Sequence, residues 1–70
     1  MSNGESVGTD FPFQVLRVQK LREDYMALPK GVGAYGALEL RRMLERAAEA
    51  QASGDIVRIL RSYSELTEAE

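Results

Sequence analysis

Seventy residues carry nine lysines and arginines against eleven aspartates and glutamates, a formal net charge of −2, with neither cysteine nor histidine. A disulfide framework is therefore impossible, the commonest metal ligand and general base are missing, and no basic surplus exists to neutralise a nucleic-acid backbone. At this length one domain is the limit, and ordering costs of about 1.5 kcal/mol per residue nearly cancel what one small core returns. Regular helix packing and self-association are the remedies left, and the composition predicts both.

Met1–Thr9 is polar with two glycines and lacks the basic start and apolar run of a secretion signal. Residues 1–9 are expected to form a disordered tail. With no later run able to span a bilayer, the cytoplasm is the default compartment and no membrane role is expected. Asp10 is placed to N-cap a first helix, with Pro12 tolerated in its first turn. Phe11, Val15, Val18, Leu21, Tyr25 and Leu28 then recur at threes and fours and form an apolar stripe, so the pattern predicts a helix over Phe11 to Leu28. Pro29 ends it, because the residue before a proline is pushed out of the helical region.

A glycine-rich loop follows, Lys30-Gly31-Val32-Gly33-Ala34-Tyr35-Gly36, and a second helix is expected to begin between Gly33 and Gly36. Its stripe is Leu40, Met43, Leu44, Ala47 and Ala50, with Tyr35 and Leu38 at its start; the alanines favour helix and let a neighbour approach closely. Gly54 is the natural stop, and Asp55 (or Ser53) can cap a third helix carrying Ile56, Ile59, Leu60, Tyr63 and Leu66. The Ser53-Gly54-Asp55 link fits only an antiparallel helical hairpin. The expected fold class is all-α: a small three-helix chain of helix, glycine-rich loop and hairpin, one domain over 10–66, frayed at 67–70, and a homodimer.

The spacing of Gly31, Gly33 and Gly36 matches the GxGxxG dinucleotide fingerprint, but that motif needs a preceding strand and a crossover unit, and here a helix ends at Leu28-Pro29. A weaker reading keeps the loop as an anion site: free N–H groups opening the second helix, its dipole and Lys30 would hold a phosphate or carboxylate, with Tyr35 stacking beside it. The plainer and favoured reading is a turn relaxed by glycine, with Tyr35 packed as a staple against the first helix. Arg41 and Glu45 can pair at i,i+4 and Glu39 and Arg42 at i,i+3; the two arginines are also candidates for contact with an acidic partner. Tyr25 and Tyr63 read as core or interface, and Phe11 and Phe13, flanking Pro12, cannot both face one small core, which makes one of them an interface residue. No carboxylates pair in an apolar setting, so no catalysis and no cofactor are expected.

The segment Leu28–Gly36, with Ala52-Ser53-Gly54-Asp55 and Tyr63-Ser64-Glu65-Leu66, resembles small proteins encoded by temperate phages of Gram-negative bacteria. That resemblance implies a non-enzymatic protein that binds and inhibits a host protein, as anti-CRISPR proteins and small antagonists of host regulators do. The hairpin also resembles one tetratricopeptide-type unit, of which stable arrays need several. Three expectations follow in order: a helical inhibitor or modulator of a bacterial host protein, a sponge for a phosphorylated small molecule at Lys30–Gly36, and a structural part of a virion.

Overall fold

The computed structural model describes the backbone of residues 3–70 and side chains from Val7 onward. Three helices, α1 (Asn3–Met26), α2 (Ala34–Ser53) and α3 (Ile56–Glu68), carry the chain, with a 3-10 turn at Pro29–Gly31 between the first two; there is no strand among the described residues. The expected helix order is thus observed. The first boundary is not: α1 starts at Asn3, seven residues before Asp10, and Pro12 lies inside it. Residues 3–9 of the expected tail are helical, and Met1 and Ser2 lie outside the described residues. Asp10 does not cap. Its carboxylate accepts hydrogen bonds from Gln14 Nε2 (3.0 Å) and from the Tyr63 hydroxyl (2.8 Å), tying α1 to α3.

The second hairpin follows local rules throughout. Gly54 ends α2 in the left-handed region (φ 69°), where an L side chain is strained, and Asp55 caps α3 by accepting from the backbone N–H of Val57 and Arg58. Asp10 meets Tyr63 while Arg17, two turns on, meets Leu66 and Ala69, so α1 and α3 run parallel and α2 runs back against both.

The core is small. Phe11 and Val18 from α1, Leu40 and Ala47 from α2, and Leu66 and Ala69 from the C-terminal end are buried, with Val15, Leu21, Tyr25, Met43, Leu44, Ile59 and Tyr63 packed around them. Phe11 stacks on the Tyr63 ring at 6.2 Å between centroids. The stripes are shorter than their sequence pattern: Leu28, Tyr35, Leu38, Ile56 and Leu60 all point to solvent. Tyr35 and Leu38 lie off the face of α2 that buries Ala37 and Leu40, and Leu60 lies off the face of α3 that buries Ser62 and Leu66. Ala37, Ala50 and Ser62 are buried in their stead.

α3 continues to Glu68, Ala69 is buried, and the Arg17 guanidinium donates to the carbonyls of Leu66 (2.5 Å) and Ala69 (3.0 Å). The Tyr25 hydroxyl donates to the Glu70 carbonyl. Helix-terminal carbonyls that normally face water thus have partners on α1.

Candidate functional site

The α1–α2 connection is built from an extended residue, a tight turn and a close approach. Leu28 is extended (φ −66°, ψ 141°), as its position before Pro29 demands. Lys30 and Gly31 then take two successive left-handed conformations, φ 61° and 69°, which reverse the chain. Gly33 is buried, and a Cβ there would lie 2.0 Å from the Tyr25 carbonyl oxygen. At Gly36 a Cβ would lie 2.3 Å from Tyr25 Cδ2. The Tyr25 ring and backbone therefore fill the notch that the second and third glycines leave. Gly31 supplies a backbone angle, while Gly33 and Gly36 supply space. The staple is Tyr25 rather than Tyr35, which is 76 % exposed.

With Tyr25 in the notch, the outer side of this junction is left apolar and open. A shallow groove of about 220 Å³ is lined by Arg22 and Met26 from the last turns of α1 and by Ala34, Ala37, Leu38 and Arg41 from the first turns of α2. Met26 and Leu38 are exposed, and Tyr35 stands three residues before Leu38, a neighbouring position on the helix surface, with exposed Val32 just before the helix. The two arginines differ. Arg41 pairs with Glu45 at 3.4 Å, while Arg22 has no ion-pair partner among the described residues, and its Nε is buried without a hydrogen-bond acceptor. A buried donor left unpaired is costly.

The structure divides the sequence-derived candidates. Arg41 lines the groove, and Tyr35 is exposed on the first turn of α2 outside its lining. Lys30 and Gly31 lie exposed in the turn beside it, and Gly33 and Gly36 are occupied by Tyr25. Arg42 pairs with Glu39 at 3.2 Å and does not line the groove. Of the four aromatic residues expected at an interface, Phe11 is 3 % exposed and belongs to the core, Tyr25 and Tyr63 are half-buried against it, and Phe13 is open to solvent. Its hydrogen bond to the Asp10 carboxylate raises the Tyr63 hydroxyl above the usual phenol range. Asp10 in turn is held below the usual carboxylate range, by Gln14 first and Tyr63 second. Both shifts report a structural tie between α1 and α3.

Sequence reasoning passed over Arg22, Met26 and Ala37. Arg22 and Met26 are four apart on α1 and sit off its core stripe, so an apolar residue in that position next to a helix stop was the available signal.

A second groove, of about 290 Å³, lies between α2 and α3 and is lined by Arg46, Glu49, Ala50, Arg58, Arg61, Ser62 and Glu65. Arg46 Nε is 3.0 Å from Glu65, a hydrogen bond that raises the guanidinium above its ordinary value, and Arg58 reaches Glu49 only at 3.9 Å. No three acidic, histidine or cysteine side chains group as a metal site among the described residues, and no described helix is long and apolar enough to cross a membrane. No protein-family model, curated protein or solved structure matches this chain.

Proposed function

We propose that this chain is a non-catalytic binding protein whose α1–α2 junction grips an apolar segment, flanked by acidic residues, on a bacterial host protein. The observation that carries the reading is the groove at that junction. Met26 and Leu38 are exposed there with two arginines lining the same groove, and the buried Nε of Arg22 has no acceptor among the described residues. Exposed Tyr35 and Val32 extend the same surface. Tyrosine, methionine and arginine are the residue types that interfaces concentrate, and an apolar centre with a charged rim is how interfaces are usually laid out. The resemblance of the Leu28–Gly36 segment to temperate-phage proteins supports an inhibitor or modulator as the form such binding takes. The sponge reading finds less support, since Tyr25 occupies the space at two of the three loop glycines and the groove draws on none of residues 29–33.

The test is affinity purification of the tagged chain from a Gram-negative host, with co-purifying proteins identified by mass spectrometry. Tyr35→Asp and Leu38→Asp serve as parallel baits, both at exposed positions where the fold tolerates a charge. One host protein retained by the native chain and lost from both variants is the expected result. Identical captures from native and variant baits would overturn the reading.

A further inference from the structure

The end of α3 is held from outside its own helix. Its last turn contains no basic residue, and Glu68 stands at the negative end of the helix dipole, where cations are favoured. The missing cation comes from α1, where the Arg17 guanidinium donates to the carbonyls of Leu66 (2.5 Å) and Ala69 (3.0 Å). Past Glu68 the backbone becomes extended at Ala69 (φ −66°, ψ 135°), and the Tyr25 hydroxyl donates to the Glu70 carbonyl. Leu66 belongs to the core, but residues 67–70 beyond it lie along α1 as a strap reaching from Arg17 to Tyr25.

Tyr25 is tied at both ends, by this hydroxyl and by its backbone, and the part between fills the glycine notch. Its carbonyl oxygen lies where a Gly33 side chain would be, and its ring where a Gly36 side chain would be. The same carbonyl accepts from the Leu28 N–H (3.2 Å), and the Gly33 carbonyl accepts from the Ala37 N–H (2.9 Å). The hydrogen bonds that close α1 and open α2 are thus assembled around one residue. Met26 and Ala37, which follow Tyr25 and Gly36 in the chain, line the junction groove.

We propose that residues 67–70 act as a releasable strap that sets the α1–α2 junction through Tyr25. With the strap seated, the hydroxyl bond holds the ring against Gly36, and the first turn of α2 packs on the last turn of α1. When the strap lifts, the ring loses its outer anchor, and Gly33 and Gly36 offer no side chain to keep the two helices in register. A contact that draws residues 67–70 off α1 therefore loosens the groove at the other side of Tyr25. This coupling belongs to the fold and holds whether or not the junction takes a partner, so its failure and that of the binding reading are separate.

Amide hydrogen exchange of the full chain, followed by NMR, tests this. The junction is read at Leu28 and Ala37, relative to Ile59 in the α2–α3 hairpin, whose N–H bonds to the Asp55 carbonyl (3.0 Å). Taking the ratio to Ile59 removes any loss of global stability. Tyr25→Phe keeps the ring and removes only the hydroxyl, and Leu28 and Ala37 are expected to exchange about fivefold faster relative to Ile59, the worth of one net hydrogen bond. Arg17→Met gives a shift in the same direction, with Arg17→Lys as the milder replacement should the first not fold. In the Tyr25→Phe background neither Arg17 substitution adds anything at the junction, because the link is already cut. Tyr63→Phe removes the α1–α3 hydrogen bond to Asp10 instead, and leaves the ratio unaltered. Junction amides that keep pace with Ile59 in Tyr25→Phe would overturn the proposal. An Arg17 effect of equal size in both backgrounds would overturn it equally, since strap and junction would then not communicate through Tyr25.

Discussion

The chain turns back on itself twice, each time through glycine, and the two turns use glycine for different reasons. At Gly54 the backbone is left-handed and a Cβ would meet nothing within 4 Å, so the demand is purely one of φ. At Gly33 and Gly36 φ is not left-handed, and the demand comes from Tyr25 on the preceding helix, which lies where their side chains would be. Asp55 and Asp10 differ in the same way. Asp55 serves the N–H groups of its own helix, while Asp10 serves Gln14 and the hydroxyl of Tyr63, 53 residues away. One hairpin is assembled from neighbours in sequence, and the other from neighbours in space. Glycine spacing alone therefore does not identify a ligand loop.

The strongest way to break this comparison is at the two space-making glycines. Gly33→Ala drives a methyl into the Tyr25 backbone carbonyl, and the expected loss is about 3 kcal/mol, the upper range for overpacking. In a domain holding only about 5 kcal/mol in total, that leaves much less reserve. Gly36→Ala meets the Tyr25 ring, which can move, and the expected loss is about 2 kcal/mol. The two separate in a Tyr25→Ala background: the Gly36 cost largely disappears, while the Gly33 cost remains because its clash is with backbone. Urea denaturation of the six chains (native, Tyr25→Ala, and each glycine variant in both backgrounds) checks this, and equal costs in both backgrounds at Gly36 would remove Tyr25 from the explanation.

A smaller effect is expected at the other turn. Gly54→Ala should cost about 1 kcal/mol, the penalty for an L-residue in the left-handed region, with no dependence on any partner residue. A loss as large as that at Gly33, measured in the same urea series, would mean that this turn too is closed by a contact in space.

The smallest expected effect concerns Asp10. A carboxylate held below its usual range stabilises the fold above the unfolded aspartate value of about 3.9, and that contribution is lost as pH falls through the lower folded value. The melting-temperature gap between the native chain and Asp10→Asn should therefore be present at pH 7 and narrow progressively below about pH 4. A gap that stays constant to pH 2 would show that the carboxylate's charge contributes nothing to the α1–α3 tie.

Several features follow from local sequence alone: three helices, the break before Pro29, the Gly54 stop, the Asp55 cap, and the Arg41–Glu45 and Glu39–Arg42 pairs. Each depends on dihedral preference or on partners within four residues, which is the range a sequence pattern encodes. Only the tertiary structure decided which parts of the stripes are buried. Tyr35 and Leu38 are apolar residues opening α2, but they lie off the face that buries Ala37 and Leu40, and Ile56 and Leu60 stay exposed while Leu66 on the same helix is buried. The anchoring of the C-terminus was equally hidden, because Arg17 and Tyr25 reach carbonyls 45 to 52 residues away. The groove at the α1–α2 junction joins Arg22 and Met26 to Leu38 and Arg41 for the same reason. Periodicity specifies a face, and only packing specifies what, if anything, lies against it.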